Sequence, residues 1–130
     1  MNYTIRQVGG VTILDLTGHL SLKAVLGEPY AFGPRGEVLL SEAIRELTNQ
    51  GQKNFLLNLA GVTYADSSGI GQLVSALTTV RNRGGDLKLL SPTAMLQNLL
   101  QTANLHTVFD RKDDEARAIQ SFSQVTVAGG

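Results

Sequence analysis

The chain contains no cysteine, and that single absence removes disulfides, thiolate metal sites and a cysteine nucleophile together. Charge of one sign is not in excess either. Eleven basic residues balance eleven acidic ones, so no global field draws the molecule to nucleic acid or to an anionic membrane. No apolar run approaches the ~18–20 residues of a spanning helix, and Met1-Asn2-Tyr3-Thr4-Ile5 lacks the basic-then-apolar pattern of an export signal. A cytoplasmic protein, with no membrane insertion and no direct contact with nucleic acid, is the expectation. There is no internal repeat, no low-complexity tract and no Gly-Lys-Ser/Thr phosphate loop. His19 and His106 are the only histidines, too few beside scattered carboxylates to make a metal set. We therefore expect no cofactor and no metal.

What is present is organised around Asp66-Ser67-Ser68-Gly69-Ile70-Gly71. A hydrophobic run, Phe55-Leu56-Leu57-Asn58-Leu59, precedes it and has the length of a strand buried on both faces. After it, Ile70, Leu73, Val74 and Leu77 recur at helical spacing. The stretch is thus a strand-to-helix turn, and Asp66, Ser67 or Ser68 can cap the helix with a side-chain oxygen. Gly69 and Gly71 would let another backbone or a phosphate come close. Read locally, the tetrapeptide is an ordinary helix cap. A dinucleotide turn fails because Val74 stands where glycine or alanine is wanted, and neither serine lies in the Gly-x-Ser-x-Gly frame of a hydrolase.

The 130 residues suit one domain, 1–130. Tyr3 to Val8 and Val11 to Leu16 are β-rich, and Gly9-Gly10 between them suits a tight hairpin. Gly18-His19-Leu20-Ser21 then leaves the second strand. Lys23 to Gly36 is rich in glycine and proline and reads as a long loop, with Tyr30 and Phe32 either pinning it or facing a partner. Leu40, Ala43, Ile44 and Leu47 mark an amphipathic helix that Gly51 can end. A strand over Asn54 to Leu59 follows, then a helix from the Asp66 turn to Arg83, then a strand from Asp86 to Leu90. Ser91-Pro92 opens a third helix with Met95, Leu96, Leu99, Leu100 and Ala103 inward. Val108-Phe109 is at most a short edge strand. Asp113-Asp114 caps a last helix carrying Ala116, Ile119 and Phe122, and 123–130 is expected to be a loose tail. The fold class is α/β: a mixed sheet, opening hairpin then parallel strands, with about four helices. Such sheets place function at strand carboxyl ends, where the Asp66 turn lies.

The run Leu57-Asn58-Leu59-Ala60-Gly61-Val62-Thr63-Tyr64-Ala65-Asp66-Ser67-Ser68-Gly69-Ile70-Gly71 resembles the signature of bacterial anti-sigma-factor antagonists, the STAS domain family. Gly84-Gly85 and Leu87-Lys88-Leu89-Leu90 match it in spacing, and the similarity extends from Tyr3 to about Phe122. The resemblance implies a non-enzymatic binding switch. Unphosphorylated, it would capture an anti-sigma factor that is also a serine kinase, so releasing a sigma factor; a phosphatase would reset it. By position the phosphorylated serine is Ser67. Asp66, Ser68, Gly69, Ile70 and Gly71 would meet the partner, with Ser21 and His19 from the neighbouring loop. The stretch 23–36 departs from the family pattern as an insertion. Two other readings stand beside it: a soluble STAS subunit of a transporter or lipid-transport assembly, or a signalling scaffold, and an enzyme acting through Ser67.

Overall fold

The structure, a computed structural model, describes the backbone of residues 2–21 and 40–128 and the side chains of 3–21 and 40–122. The expected loop over 23–36, with Tyr30 and Phe32, lies outside the described residues.

Strands β1 (Asn2–Val8) and β2 (Val11–Leu20) form the opening hairpin. Gly9 and Gly10 have φ of +56° and +82°, the pair of positive values that a two-residue turn demands. Helix α1 (Leu40–Asn49) crosses to β3 (Asn54–Ala65), α2 (Ser67–Asn82) to β4 (Asp86–Leu90), and α3 (Ala94–Thr102) to β5 (Arg111–Lys112), after which α4 (Glu115–Ala128) closes the order. The sheet runs β1-β2-β3-β4-β5. Only the β1/β2 pair is antiparallel, so the expected fold class holds.

Successive parallel strands step in one direction, and crossovers of one hand then put their helices on one face. Leu40 and Ile44 of α1, Leu73 and Leu77 of α2, and Leu96 and Leu100 of α3 accordingly share one buried cluster with Leu14, Phe55, Leu57 and Leu89. The other face is covered by α4, whose Ala118 and Phe122 pack on Val11, Ile13, Leu56 and Leu90. Because β3 is covered on both faces, Phe55, Leu56 and Leu57 are all buried, which explains its unbroken apolar run. Lys88 of β4 is also buried, under α4. Its Nζ donates to Ser121 Oγ at 2.7 Å, lies 3.2 Å from Asp110 Oδ2 and sits 4.8 Å from the Phe122 ring centre.

The first three helices end alike, in paired bonds typical of a left-handed cap. Gly51, Gly84 and Asn104 carry the positive φ, and the residue after each donates back to Leu47 O, Val80 O and Leu100 O. Asn104 takes the role that glycine has in the other two. Helices α1 and α2 are also tied side to side. The Leu40 amide donates to Gln72 Oε1 at 2.9 Å, both groups being buried.

Several boundaries differ from the sequence reading. β2 continues through Leu20 and β3 through Ala65, because parallel pairing of Thr17 to Leu20 with Gly61 to Ala65 extends the ladder past the apolar run. The third helix starts later, capped by Thr93 Oγ1 accepting from the Leu96 amide, since Ser91 has φ of +50° and cannot begin it. Met95 and Ala103 face outward, leaving Leu96 and Leu100 as its buried residues. The edge strand is Arg111–Lys112, two residues beyond Val108-Phe109; Phe109 is instead a core residue. On the last helix Ala118 is buried and Ala116 exposed. Its backbone is helical to Ala128, and no glycine or proline interrupts it before Gly129.

Arg6 joins β1, β2 and α4. Its Nε donates to Asp15 Oδ2 at 2.6 Å and its Nη2 to Glu115 Oε1 at 2.6 Å. That guanidinium, with help from the Asn58 amide, holds the Asp15 carboxyl below the usual carboxylate range. A depressed folded value contributes stability above the ordinary carboxylate pKa of about 4, and the contribution is lost as pH falls through the folded value. Arg6 is partly exposed, which limits the pair to about 1 kcal/mol. Wild type should therefore exceed Asp15→Asn by that amount in urea unfolding at neutral pH, with the gap closing below about pH 4. A gap independent of pH would refute the assignment.

Candidate functional site

The Asp66 turn joins the carboxyl end of β3 to α2. Asp66 has extended backbone, φ −139° and ψ −173°, and is the cap. Its Oδ1 accepts from the Ser68 and Gly69 amides at 3.0 and 3.2 Å and from the Ser68 hydroxyl. Its Oδ2 accepts from Ser21 Oγ at 2.7 Å and Tyr64 OH at 3.3 Å. One carboxylate thus gathers groups from the end of β2, the end of β3 and the first turn of α2.

The two serines of the turn are thereby separated. Ser68 is half-buried, bonded to Asp66 through its amide and hydroxyl, with Ser21 Oγ 3.3 Å from its own oxygen. Ser67 is the first residue of α2 and is exposed. Among the described residues nothing hydrogen-bonds its hydroxyl. The partial positive charge of the helix N-terminus lies directly beneath it.

Of the residues expected to meet a partner, the structure brings Asp66, Ser68 and Ser21 into one network. Ser21 bonds Asp66 and stands beside Ser68. His19 lies in β2 and not in a loop, half-buried, with its ring centre 5.4 Å from that of Tyr64. Gly71 is exposed, and a Cβ added to it would meet nothing within 4 Å. Gly69 and Ile70 differ from expectation. Ile70 is only 5% exposed and belongs to the core. A Cβ on Gly69 would lie 1.9 Å from Leu20 O, so this glycine seats the helix on β2 and does not open room for a visitor. The helix period required the first outcome, since Ile70 shares the inward stripe with Leu73 and Leu77.

Tyr64 escaped the sequence reading. It is 41% exposed, touches His19 and bonds Asp66, because extension of β3 to Ala65 turns it outward beside the cap. Alternation by two from buried Val62 would turn it inward; the register shift opposite Gly18 and His19 leaves Thr63 and Tyr64 both exposed before buried Ala65, so no sequence period marked it. At the opposite end of the sheet an open depression of about 450 Å³ is lined by Lys53, Arg81, Gly84, Asp86 and Phe122; Arg81 there lies 3.9 Å from Asp86. His106, four residues beyond α3, is half-buried and its Nδ1 has no partner among the described residues.

A sheet of this order with its helices is found in known proteins. The fold is that of the NMR structure of TM1081 from Thermotoga maritima, with TM-score 0.72 at 21% identity over 95% of this chain and 90% of that one. It is equally that of the Bacillus anti-sigma factor antagonist SpoIIAA in its unphosphorylated form, with TM-score 0.63 at 16% identity over 96% and 98%. SpoIIAA in its phosphorylated form gives TM-score 0.60 at 19% identity over 92% and 98%. In sequence, a Thermotoga neapolitana protein described as the homologue of the antagonist TM1081 is 31% identical over 75 residues, which is 58% of this chain and 66% of that protein. The match therefore spans just under two-thirds of that relative. The STAS domain family matches residues 37–118, and the chain belongs to that family. Among the described residues no helix is long and apolar enough to cross a membrane.

Proposed function

We propose that this STAS protein is a cytoplasmic anti-sigma-factor antagonist, a binding switch without catalysis of its own. Its unphosphorylated form captures an anti-sigma factor carrying serine kinase activity and so frees a sigma factor. Ser67 is the phosphoacceptor, and a phosphatase restores the hydroxyl. Asp66, Ser68, Ser21, His19 and Gly71 form the contact surface, with Tyr64 added; Gly69 and Ile70 support it from below.

The observation that supports this reading most is the contrast between neighbouring hydroxyls. Ser67 is exposed at the head of α2, while the Ser68 hydroxyl is bonded to Asp66. Phosphate transfer needs an accessible oxygen, and Ser67 offers one on a rigid, capped element. The STAS family and the SpoIIAA structures in both phosphorylation forms point the same way. Affinity capture from native cell extract, with the unphosphorylated full chain as bait, should recover an ATP-dependent serine kinase of the histidine-kinase-like ATPase class. Recovery of a membrane permease in its place would favour the transport-subunit role and defeat this one.

A further inference from the structure

β1 is an outer strand of the sheet, and its bonding pattern follows from the hairpin that makes it. A two-residue turn closes on a hydrogen-bonded pair, here Val8 opposite Val11. Antiparallel pairs then alternate between bonded and non-bonded. Arg6 with Ile13 and Thr4 with Asp15 exchange bonds, whereas Gln7, Ile5 and Tyr3 sit in the non-bonded pairs with Thr12, Leu14 and Leu16. The amides and carbonyls of Tyr3, Ile5 and Gln7 therefore point away from β2, to the outer side of the sheet. Among the described residues no backbone group bonds to them. Of the common edge guards, Asn2–Val8 holds no proline, no lysine and no bulge, and its one charge, Arg6, is engaged within its own chain. Ile5, at its centre, is 44% exposed.

We propose that β1 is a self-pairing edge, joining two copies of this chain through an antiparallel ribbon centred on Ile5. Register is what selects a second copy as the occupant. Pairing about a twofold axis at Ile5 sets Ile5 opposite its own counterpart and Tyr3 opposite Gln7. Those are the three residues whose backbone groups face outward, so all of them are satisfied at once. A slip of two residues leaves Gln7 or Tyr3 without a strand partner. Charge agrees with register. Arg6, the one charged residue of β1, falls opposite Thr4 and not opposite itself, and is already paired with Asp15 and Glu115 of its own chain. No like charges meet across the axis. The joint is separated from Ser67 by β2, so both copies keep that turn open.

Two measurements on the full chain test this. In the wild-type protein, raising the concentration should slow amide hydrogen exchange at Tyr3, Ile5 and Gln7 while leaving Thr4 and Arg6, already bonded within the hairpin, unchanged; sedimentation should show dimer over the same range. Ile5→Lys and Ile5→Glu each place like charges directly opposite and should weaken association by at least about tenfold. Mixed in equal amounts they should recover a heterodimer, because only residue 5 meets residue 5 in this register. A monomer at every concentration, concentration-independent exchange at Ile5, or a mixture that stays monomeric would each overturn the proposal.

Discussion

Phosphorylated at Ser67, the protein is expected to lose its partner while keeping its fold. The hydroxyl is small and neutral, and a protein surface can close over it together with Gly71 and Tyr64. A phosphate adds roughly −1.5 to −2 charges beside the Asp66 carboxylate. Two effects oppose each other. The N-terminus of α2 favours the added anion by about 0.3 to 1 kcal/mol when it is exposed, so stability changes little. Burying that dianion against a partner, with a carboxylate adjacent, costs several kcal/mol. The second effect is larger, and a loss of about 3 kcal/mol is at least a hundredfold in affinity. Ser67→Ala should bind within about threefold of wild type yet accept no phosphate, since a methyl group at this exposed site removes no bond. Ser67→Asp carries one charge and should bind about tenfold or more weakly. Ser68→Ala should still be phosphorylated. Calorimetric titration of the partner against these forms, with mass spectrometry to locate the group, reads every arm. Phosphate on Ser68 with Ser67 untouched would reverse the assignment.

Gly69→Ala should cost more stability than any surface change in the turn, while Gly71→Ala should cost none. The new Cβ at Gly69 would lie 1.9 Å from Leu20 O and 2.7 Å from Leu20 C, both backbone atoms of a paired strand that cannot step aside. Either α2 lifts off β2 or the end of the strand unpairs, and overpacking of this severity costs about 3 kcal/mol. For a chain of this size that is roughly a 10 °C fall in melting temperature. Gly71 is helical and open, so alanine there gains up to about 1 kcal/mol from helix propensity. The pair also separates scaffold from contact surface. If a partner closes over the turn as proposed, Gly71→Ala binds more weakly although it melts higher. A Gly69→Ala protein that melts with wild type would mean that the helix does not sit on Leu20.

The site was only partly legible in sequence, for an identifiable reason. Asp66 was one of three candidate caps. Choosing it needed the torsions at Asp66 and the positions of Ser21 and Tyr64, which reach it from the ends of β2 and β3. Ser68 and Ser67 carry the same hydroxyl on adjacent positions. Only the helical turn, about 100° per residue, directs one to the cap and the other to solvent.

Local pattern determined most of the architecture. Gly9-Gly10 required a tight reversal, the 3.6-residue period of Leu40 to Leu47 and of Ile70 to Leu77 required helices, and the unbroken run at Phe55 required a strand covered twice. Each of those signals is short-range, carried by backbone torsions or by one face of one element. Tertiary pairing decided the rest. β2 and β3 ran past their apolar stretches because each gave the other a ladder, and the last strand formed at Arg111–Lys112, where β4 had open bonds at Leu89 and Leu90. Gly69 was assigned to packing because Leu20, 49 positions earlier in the chain, comes to lie beneath it. A contact between residues so far apart leaves no periodic trace in either segment, so only the folded chain could reveal it.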